Sequence, residues 1–349
     1  MSPQEVRVID QSENEVIDFT YSITSYGADY PVDSLVKRLR TEKIKVPSFQ
    51  RKFIWTIKQA SRFIESLLLG LPVPGIFLAR EVDSADLLVI DGQQRLKTLQ
   101  FFYDGMINEK AFRLVEVQER FEGKTYKDLE SDDRQRLDDS IIHATIVKQD
   151  EPSDDYSSIY YIFERLNTGG VLLSPQEIRS AIYAGDFFDL LKSENDYMAW
   201  REVYGPKSPR LKDQEFILRF MAMFFNRDHY RKPLKGFLNT YMAKNRNLKI
   251  NNASQLSSIF RMTVDYVETS LGKSAFRPKG AMNASIFDSV MVGIAEMISR
   301  GRILQKGEFV ERYNNLLTSK DFIAATTEAT SDEPVVIKRM LLAINAFTK

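Results

Sequence analysis

The residues best placed to do chemistry lie in one short stretch, Asp91-Gly92-Gln93-Gln94-Arg95-Leu96-Lys97, directly after the apolar run Leu87-Leu88-Val89-Ile90. A run of that kind without alternation reads as a strand buried on both faces. A helix is expected to begin at the turn, with Leu96, Leu99 and Tyr103 on one face. The first amides of such a helix have no intrahelical partner, and its dipole favours negative charge there. Gly92 lets a ligand approach the backbone. Gln93 and Gln94 add amide donors, and Arg95 and Lys97 add positive charge within two turns. That chemistry suits a polyphosphate. Asp91 has two readings, a helix cap or a ligand for Mg²⁺ beside a triphosphate. Asp-Gly after a strand is also a common plain turn, and it is the whole string that points to function.

Two further strings can contribute. Gln50 and Arg51 stand among Phe49, Phe53 and Trp55. That setting suits a nucleotide base and ribose, or equally a surface arginine stacked on Trp55. Arg165-Leu166-Asn167-Thr168-Gly169-Gly170 reads as a helix end with a glycine cap, or as a loop closing over a ligand.

The elements that must position these residues fall into two textures. Residues 1–185 mix short strand-like runs with helices, and residues 186–349 read as successive helices. Pro31 opens a helix carrying Val32, Leu35, Val36 and Leu39, followed by a short strand over 43–46. Thr56 and Gln59 form a capping box for a helix that Gly70 stops, and Ser174-Pro175-Gln176-Glu177 repeats that start signal. Residues 75–78 and 141–147 are predicted strands, and the charged segment 115–140 a helical insertion. Residues 1–30 are polar and give no clear assignment. In the second half Asp213 is the expected cap of a helix carrying Phe216, Ile217, Phe220, Met221 and Phe224. Later helices are expected over 234–245, 253–270, 282–299 and 334–347, their aromatics and methionines serving as core.

Composition narrows the function classes. The chain has 349 residues, with 48 Lys plus Arg against 48 Asp plus Glu. Zero net charge gives no overall basic field for nucleic acid. A local basic stretch over 205–235, including Lys207, Arg210, Arg231 and Lys232, is the candidate DNA contact. There are no cysteines, which removes thiolate zinc sites and cysteine nucleophiles. The two histidines, His143 and His229, lie far apart and fit neither a metal site nor a His-Asn-His nuclease. The acidic run from Asp128 to Asp139 is better read as a solvated helix than as a nuclease. Gly272-Lys273-Ser274 fails as a phosphate-binding loop, since Val267 stands where the first glycine belongs. No apolar segment is long enough to span a bilayer, and the expected location is the cytoplasm.

Pro47-Ser48-Phe49-Gln50-Arg51-Lys52-Phe53-Ile54-Trp55, then Asp91-Gly92-Gln93-Gln94-Arg95-Leu96, then Arg165 to Gly170, in this order, resemble the family called domain of unknown function 262. The segment Leu173 to Arg179 is also similar to it. The family forms the N-terminal portion of GmrSD-type modification-dependent restriction enzymes and of phosphorothioate-sensing defence proteins. The resemblance implies an α+β chain: a ParB/sulfiredoxin-like α/β core over 1–185, then an all-α domain over 186–349. It also implies a nucleoside triphosphate with Mg²⁺ as ligands. In ParB-type proteins a Gly-Glu-Arg-Arg-x-Arg turn holds the phosphates, and here Gln93 and Gln94 replace a glutamate and an arginine. Within that pattern Asp91, Gln93 and Arg95 are the expected catalytic residues, with Asp91 on the metal. Gln50, Arg51, Gly92, Gln94, Lys97, Arg165, Asn167, Thr168, Gly169 and Gly170 are the expected nucleotide contacts. The implied function is an NTP-hydrolysing sensor or regulator in a restriction or anti-phage system, paired with a separately encoded nuclease or toxin. The alternative is a non-enzymatic DNA- or protein-binding module with a degenerate pocket.

Overall fold

The structure is a computed structural model, and it describes residues 6–10, 22–47, 53–80, 86–107, 109–151, 157–166 and 173–349. The described residues divide into two compact units, one of 22–151 with 158–166, the other of 6–10 and 157 with 173–349. The strand β1 (Val8–Ile9) belongs to the second unit.

The first unit is α+β. Strand β2 (Ser22–Pro31) leads into α1 (Val32–Arg40), with Pro31 as the N-cap. β3 (Ile44–Lys45) follows, then α2 (Ile57–Leu68), whose Thr56–Gln59 capping box forms as the sequence predicts. β4 (Ile76–Arg80) and β5 (Leu87–Asp91) are antiparallel neighbours, and α3 (Gln93–Asp104) starts one residue after β5. A short hairpin, β6 (Met106–Ile107) and β7 (Lys110–Ala111), precedes α4 (Ser131–Asp139), β8 (Ile141–Glu151) and α5 (Ser157–Leu166). Five strands make one mixed sheet in the order β2-β8-β4-β5-β3. β4–β8 and β3–β5 run parallel, and β2–β8 antiparallel.

Leu87 to Ile90 are all buried, which explains why β5 lacks alternation. The apolar faces of α1, α2 and α3 join Ile76, Leu78, Leu87, Val89 and Ile142 in one core. Two expectations need correction here. Residues 1–30, unassigned from sequence, contain β2; its outer part is solvent-exposed on both faces, so no alternation marks it. The segment 115–140 is helical only in a 3-10 turn at Tyr126–Asp128 and in α4. Phe112, Leu114, Phe121 and Leu129 are buried at irregular spacing, which fixes this segment as a wrapped loop rather than an amphipathic helix.

The second unit is helical. It comprises α6 (Pro175–Ile182), α7 (Asp186–Asn195), α8 (Met198–Tyr204), α9 (Lys212–Asn226), α10 (Leu234–Asn245) and α11 (Ala253–Leu271). Then come β9 (Met282–Asn283), parallel to β1, and α12 (Ala284–Ser299), α13 (Lys306–Thr318), α14 (Lys320–Thr327) and α15 (Glu333–Thr348). Ser174 and Glu177 form the predicted capping box on α6. Phe287 anchors the core, with Phe216, Phe276 and Trp200 rings centred 4.8, 5.0 and 5.9 Å away. Asp213 does not cap α9, whose N-cap is Leu211. Its buried carboxylate instead accepts from the Ser208 amide, Asn195 and Arg201. Among the described residues no helix is long and apolar enough to cross a membrane.

Candidate functional site

β5 hands the chain to α3 through Gly92, which is the N-cap of α3 at φ 99° and carries no side chain to cap it. Glycine is required there on two counts. The left-handed backbone disfavours any side chain. An added Cβ would also lie 2.4 Å from Cγ2 of Ile76, so the close approach that Gly92 permits is that of β4.

Asp91 turns out not to cap the helix. Its Oδ2 accepts from Nη2 of Arg95 at 2.8 Å, one turn on, and Nη1 of Arg95 donates to the Pro74 carbonyl at 3.2 Å. The Arg95 side chain is 14% exposed and that of Asp91 is 52% exposed, so the carboxylate is the solvent-facing partner. Gln94 turns its Oε1 to the amides of Ile54 and Trp55 at 3.0 and 3.2 Å. Residues 53–55 are thereby fastened along α3. Phe53 packs edge-on to Phe101 at 5.1 Å and Trp55 edge-on to Phe63 at 5.7 Å. Gln93 is buried.

Lys97 differs from its neighbours. It is half-buried, and no hydrogen bond or ion pair holds it among the described residues. Burial lowers its pKa below the ordinary lysine value, with no carboxylate to offset the loss of water. Helical side chains lean toward the N-terminus of their helix. Lys97 stands on α3 one helical turn past Gln93 and Gln94.

Gln50 and Arg51 lie outside the described residues, as do Asn167, Thr168, Gly169 and Gly170. Arg165 is exposed near the end of α5. The structure thus brings together Asp91, Gly92, Gln93, Gln94, Arg95 and Lys97, and the anchored 53–55 segment beside them.

The proposed DNA contacts sit among their own counter-charges. Lys207 pairs with Asp196, Arg210 with Glu177 at 3.2 Å, and Lys232 with Asp332 at 2.6 Å. Arg231 donates to the Tyr230 carbonyl at 2.7 Å. In the acidic run, Asp138 accepts from the hydroxyls of Tyr103 and Tyr126. Burial first, then that hydrogen bond, pushes the Tyr126 phenol up to about 12. Among the described residues no three acidic or histidine side chains gather as a metal-ligand group.

Sequence reasoning missed a buried charge network in the helical unit. Arg179 binds Glu215 at 2.8 Å, and Arg219 binds Asp288 at 2.7 Å and Asp10 at 2.6 Å. The signal was present: Arg219 and Asp288 are single charges inside otherwise apolar helical runs.

The strand-turn-helix junction of β5 and α3 sits within a mixed sheet flanked by helices, so the first unit is an α+β domain. Residues 32–184 match the family model of the GmrSD restriction endonuclease, N-terminal domain, which supports the resemblance carried by the three motif strings. The match spans the three motif strings and ends within the helical unit, past α6. No curated protein matches the chain.

Proposed function

We propose that this chain is a nucleotide-binding sensor of a restriction or anti-phage system, with phosphates held at the mouth of α3 and cleavage carried out by a separately encoded effector. The family's own description supplies the restriction context. The observation that carries the nucleotide reading is Lys97, a half-buried ammonium with no counter-ion among the described residues. An ion in that position is costly unless a ligand completes it. The α3 amides and Arg95 supply the remaining positive potential. The fold we assign to the first unit is ParB/sulfiredoxin-like.

Mg²⁺ fits this arrangement through one carboxylate. It is commonly held by one or two carboxylates together with substrate phosphates, and Asp91 is a half-exposed carboxylate at the mouth. When bound, the ion would screen phosphate charge. Gln93 would orient a water, and Arg95 and Lys97 would hold phosphate oxygens. Calorimetric titration of the four NTPs, with phosphate release measured with and without duplex DNA, tests the reading. Binding of at least one NTP, lost in Lys97→Met with the melting curve intact, is the expected result. Equal affinity in Lys97→Met would remove the assignment.

A second reading has a specific observation behind it. Gln94 and Arg95 are both held in internal hydrogen bonds, as they would be in a module that keeps the turn only as structure. Such a chain would bind DNA or a protein equally well with and without nucleotide and would release no phosphate.

A further inference from the structure

Arg95 cannot meet a phosphate in the arrangement it now has, because a carboxylate already occupies its outer nitrogen. We propose that a polyphosphate enters by exchanging for Asp91 on Arg95, and that the released carboxylate then shares a Mg²⁺ with the bound phosphates. Anion and metal therefore bind as a coupled pair. This deepens the nucleotide reading above and rests on it.

The geometry gives each partner a different freedom. Arg95 is anchored: its Nη1 stays on the Pro74 carbonyl at 3.2 Å, and its side chain is only 14% exposed. Asp91 is the more exposed half, 52% exposed and bound through Oδ2 alone, with Oδ1 free of hydrogen bonds among the described residues. With its carboxylate half in water, the pair adds modest net stability. A phosphate bearing more charge and several acceptor oxygens makes a stronger charge-assisted bond to the same guanidinium. Exchange is therefore downhill at Arg95.

It leaves a problem that the metal solves. Once displaced, Asp91 stands as a bare carboxylate beside a polyanion, and the two repel. A hard divalent cation liganded by that carboxylate and by phosphate oxygens turns the repulsion into attraction. Without Mg²⁺ the Asp91 carboxylate acts as a resident competitor that keeps the mouth closed to anions. With Mg²⁺ it becomes part of the site. By linkage, the anion must raise the affinity for Mg²⁺ by the same factor.

The experiment is calorimetric titration of inorganic tripolyphosphate into the full chain, once in EDTA and once in Mg²⁺. Wild type should bind about tenfold more tightly with Mg²⁺. Asp91→Asn should bind about tenfold more tightly than wild type in EDTA and should lose the Mg²⁺ effect. Asp91→Ser, which also removes the charge, should behave the same way, and thermal melts of both variants check that the fold persists. If wild type binds but Asp91→Asn and Asp91→Ser are no tighter in EDTA and keep the metal effect, the exchange is wrong while the site stands. If wild type binds tripolyphosphate in neither condition, the nucleotide reading falls and takes the exchange with it.

Discussion

At the scale of single residues, the site is defined by which charges are satisfied and which are not. Asp91 and Arg95 satisfy each other across one helical turn, whereas Lys97 has no such partner among the described residues. The Asp91–Arg95 pair was not read from the sequence, where Asp91 stood as a cap or a metal ligand; Asp91 ends β5, so no helical spacing rule announces its reach to α3. The Lys97 environment was not legible either, because burial of a helical lysine depends on how the rest of the unit packs around α3 and has no local signal in the string. An unpaired half-buried ammonium should make the ligand-free protein less stable than a neutral side chain would. Lys97→Met is expected to stabilise it by about 0.5 kcal/mol near neutral pH. The lowered pKa fixes the sign of the pH dependence. At neutral pH the lysine is charged in both states, and only the folded state bears the desolvation cost. As pH rises through the lowered folded value toward the ordinary ~10.4, that cost disappears, so wild type gains stability and the advantage of methionine fades. Urea unfolding at neutral pH and again above the window checks both halves. A methionine variant less stable than wild type at neutral pH would show that Lys97 has a partner in the free protein.

At the scale of elements, the decisive feature is how tightly β4 and β5 approach at the start of α3. Gly92 and Gly70 both have positive φ, at 99° and 70°. They differ in surroundings: a Cβ at Gly70 would meet nothing within 4 Å, whereas one at Gly92 would collide with Ile76. Gly70→Ala should therefore cost about 1 kcal/mol, from backbone strain alone. Gly92→Ala should cost about 3 kcal/mol, strain and overpacking together. Denaturant midpoints of the two variants measure the difference, and equal losses would mean that Ile76 moves aside without penalty. Capping boxes at Thr56 and Ser174, the buried run of β5, and α10, α11, α12 and α15 were all readable, because each signal is local. The 112–129 loop was not, because Phe112, Leu114, Phe121 and Leu129 follow the shape of the core they plug rather than any period. β2 was obscured for the opposite reason, having too little burial to impose one.

At the scale of the whole molecule, the balance of charge decides more than its total. Within the helical unit the charges are buried and cross-linked. Asp288, fully buried on α12, accepts from Arg219 on α9 at 3.0 and 2.7 Å and lies 3.7 Å from Arg339 on α15. Asp288→Asn should therefore destabilise that unit by about 3 kcal/mol, since it leaves buried guanidinium groups short of charge. Hydrogen exchange should quicken in α9, α12 and α15 while the β4–β5 strands stay protected. Quickening confined to exposed loops would mean that Arg219 is held adequately by Asp10. On the surface, the same balance bears on nucleic acid. The run of Lys and Arg over 205–235 looks like a basic patch only along the sequence. In space its charges meet acids from distant parts of the chain, Lys232 finding Asp332 at a separation of 100 residues. No reading of the string alone could supply those counter-charges. Phosphates would have to displace a carboxylate at nearly every contact, and the chain as a whole adds no steering field. Non-specific duplex DNA should therefore bind weakly, with a Kd of about 10⁻⁴ M or above at physiological salt. Changing Lys207, Arg210 and Lys232 together to alanine should shift it less than about threefold. Fluorescence anisotropy with a labelled duplex at 50 and 200 mM salt checks this. Tight binding that falls by about 10³ between those concentrations, and that the triple variant abolishes, would show that these side chains leave their acids for the phosphate backbone.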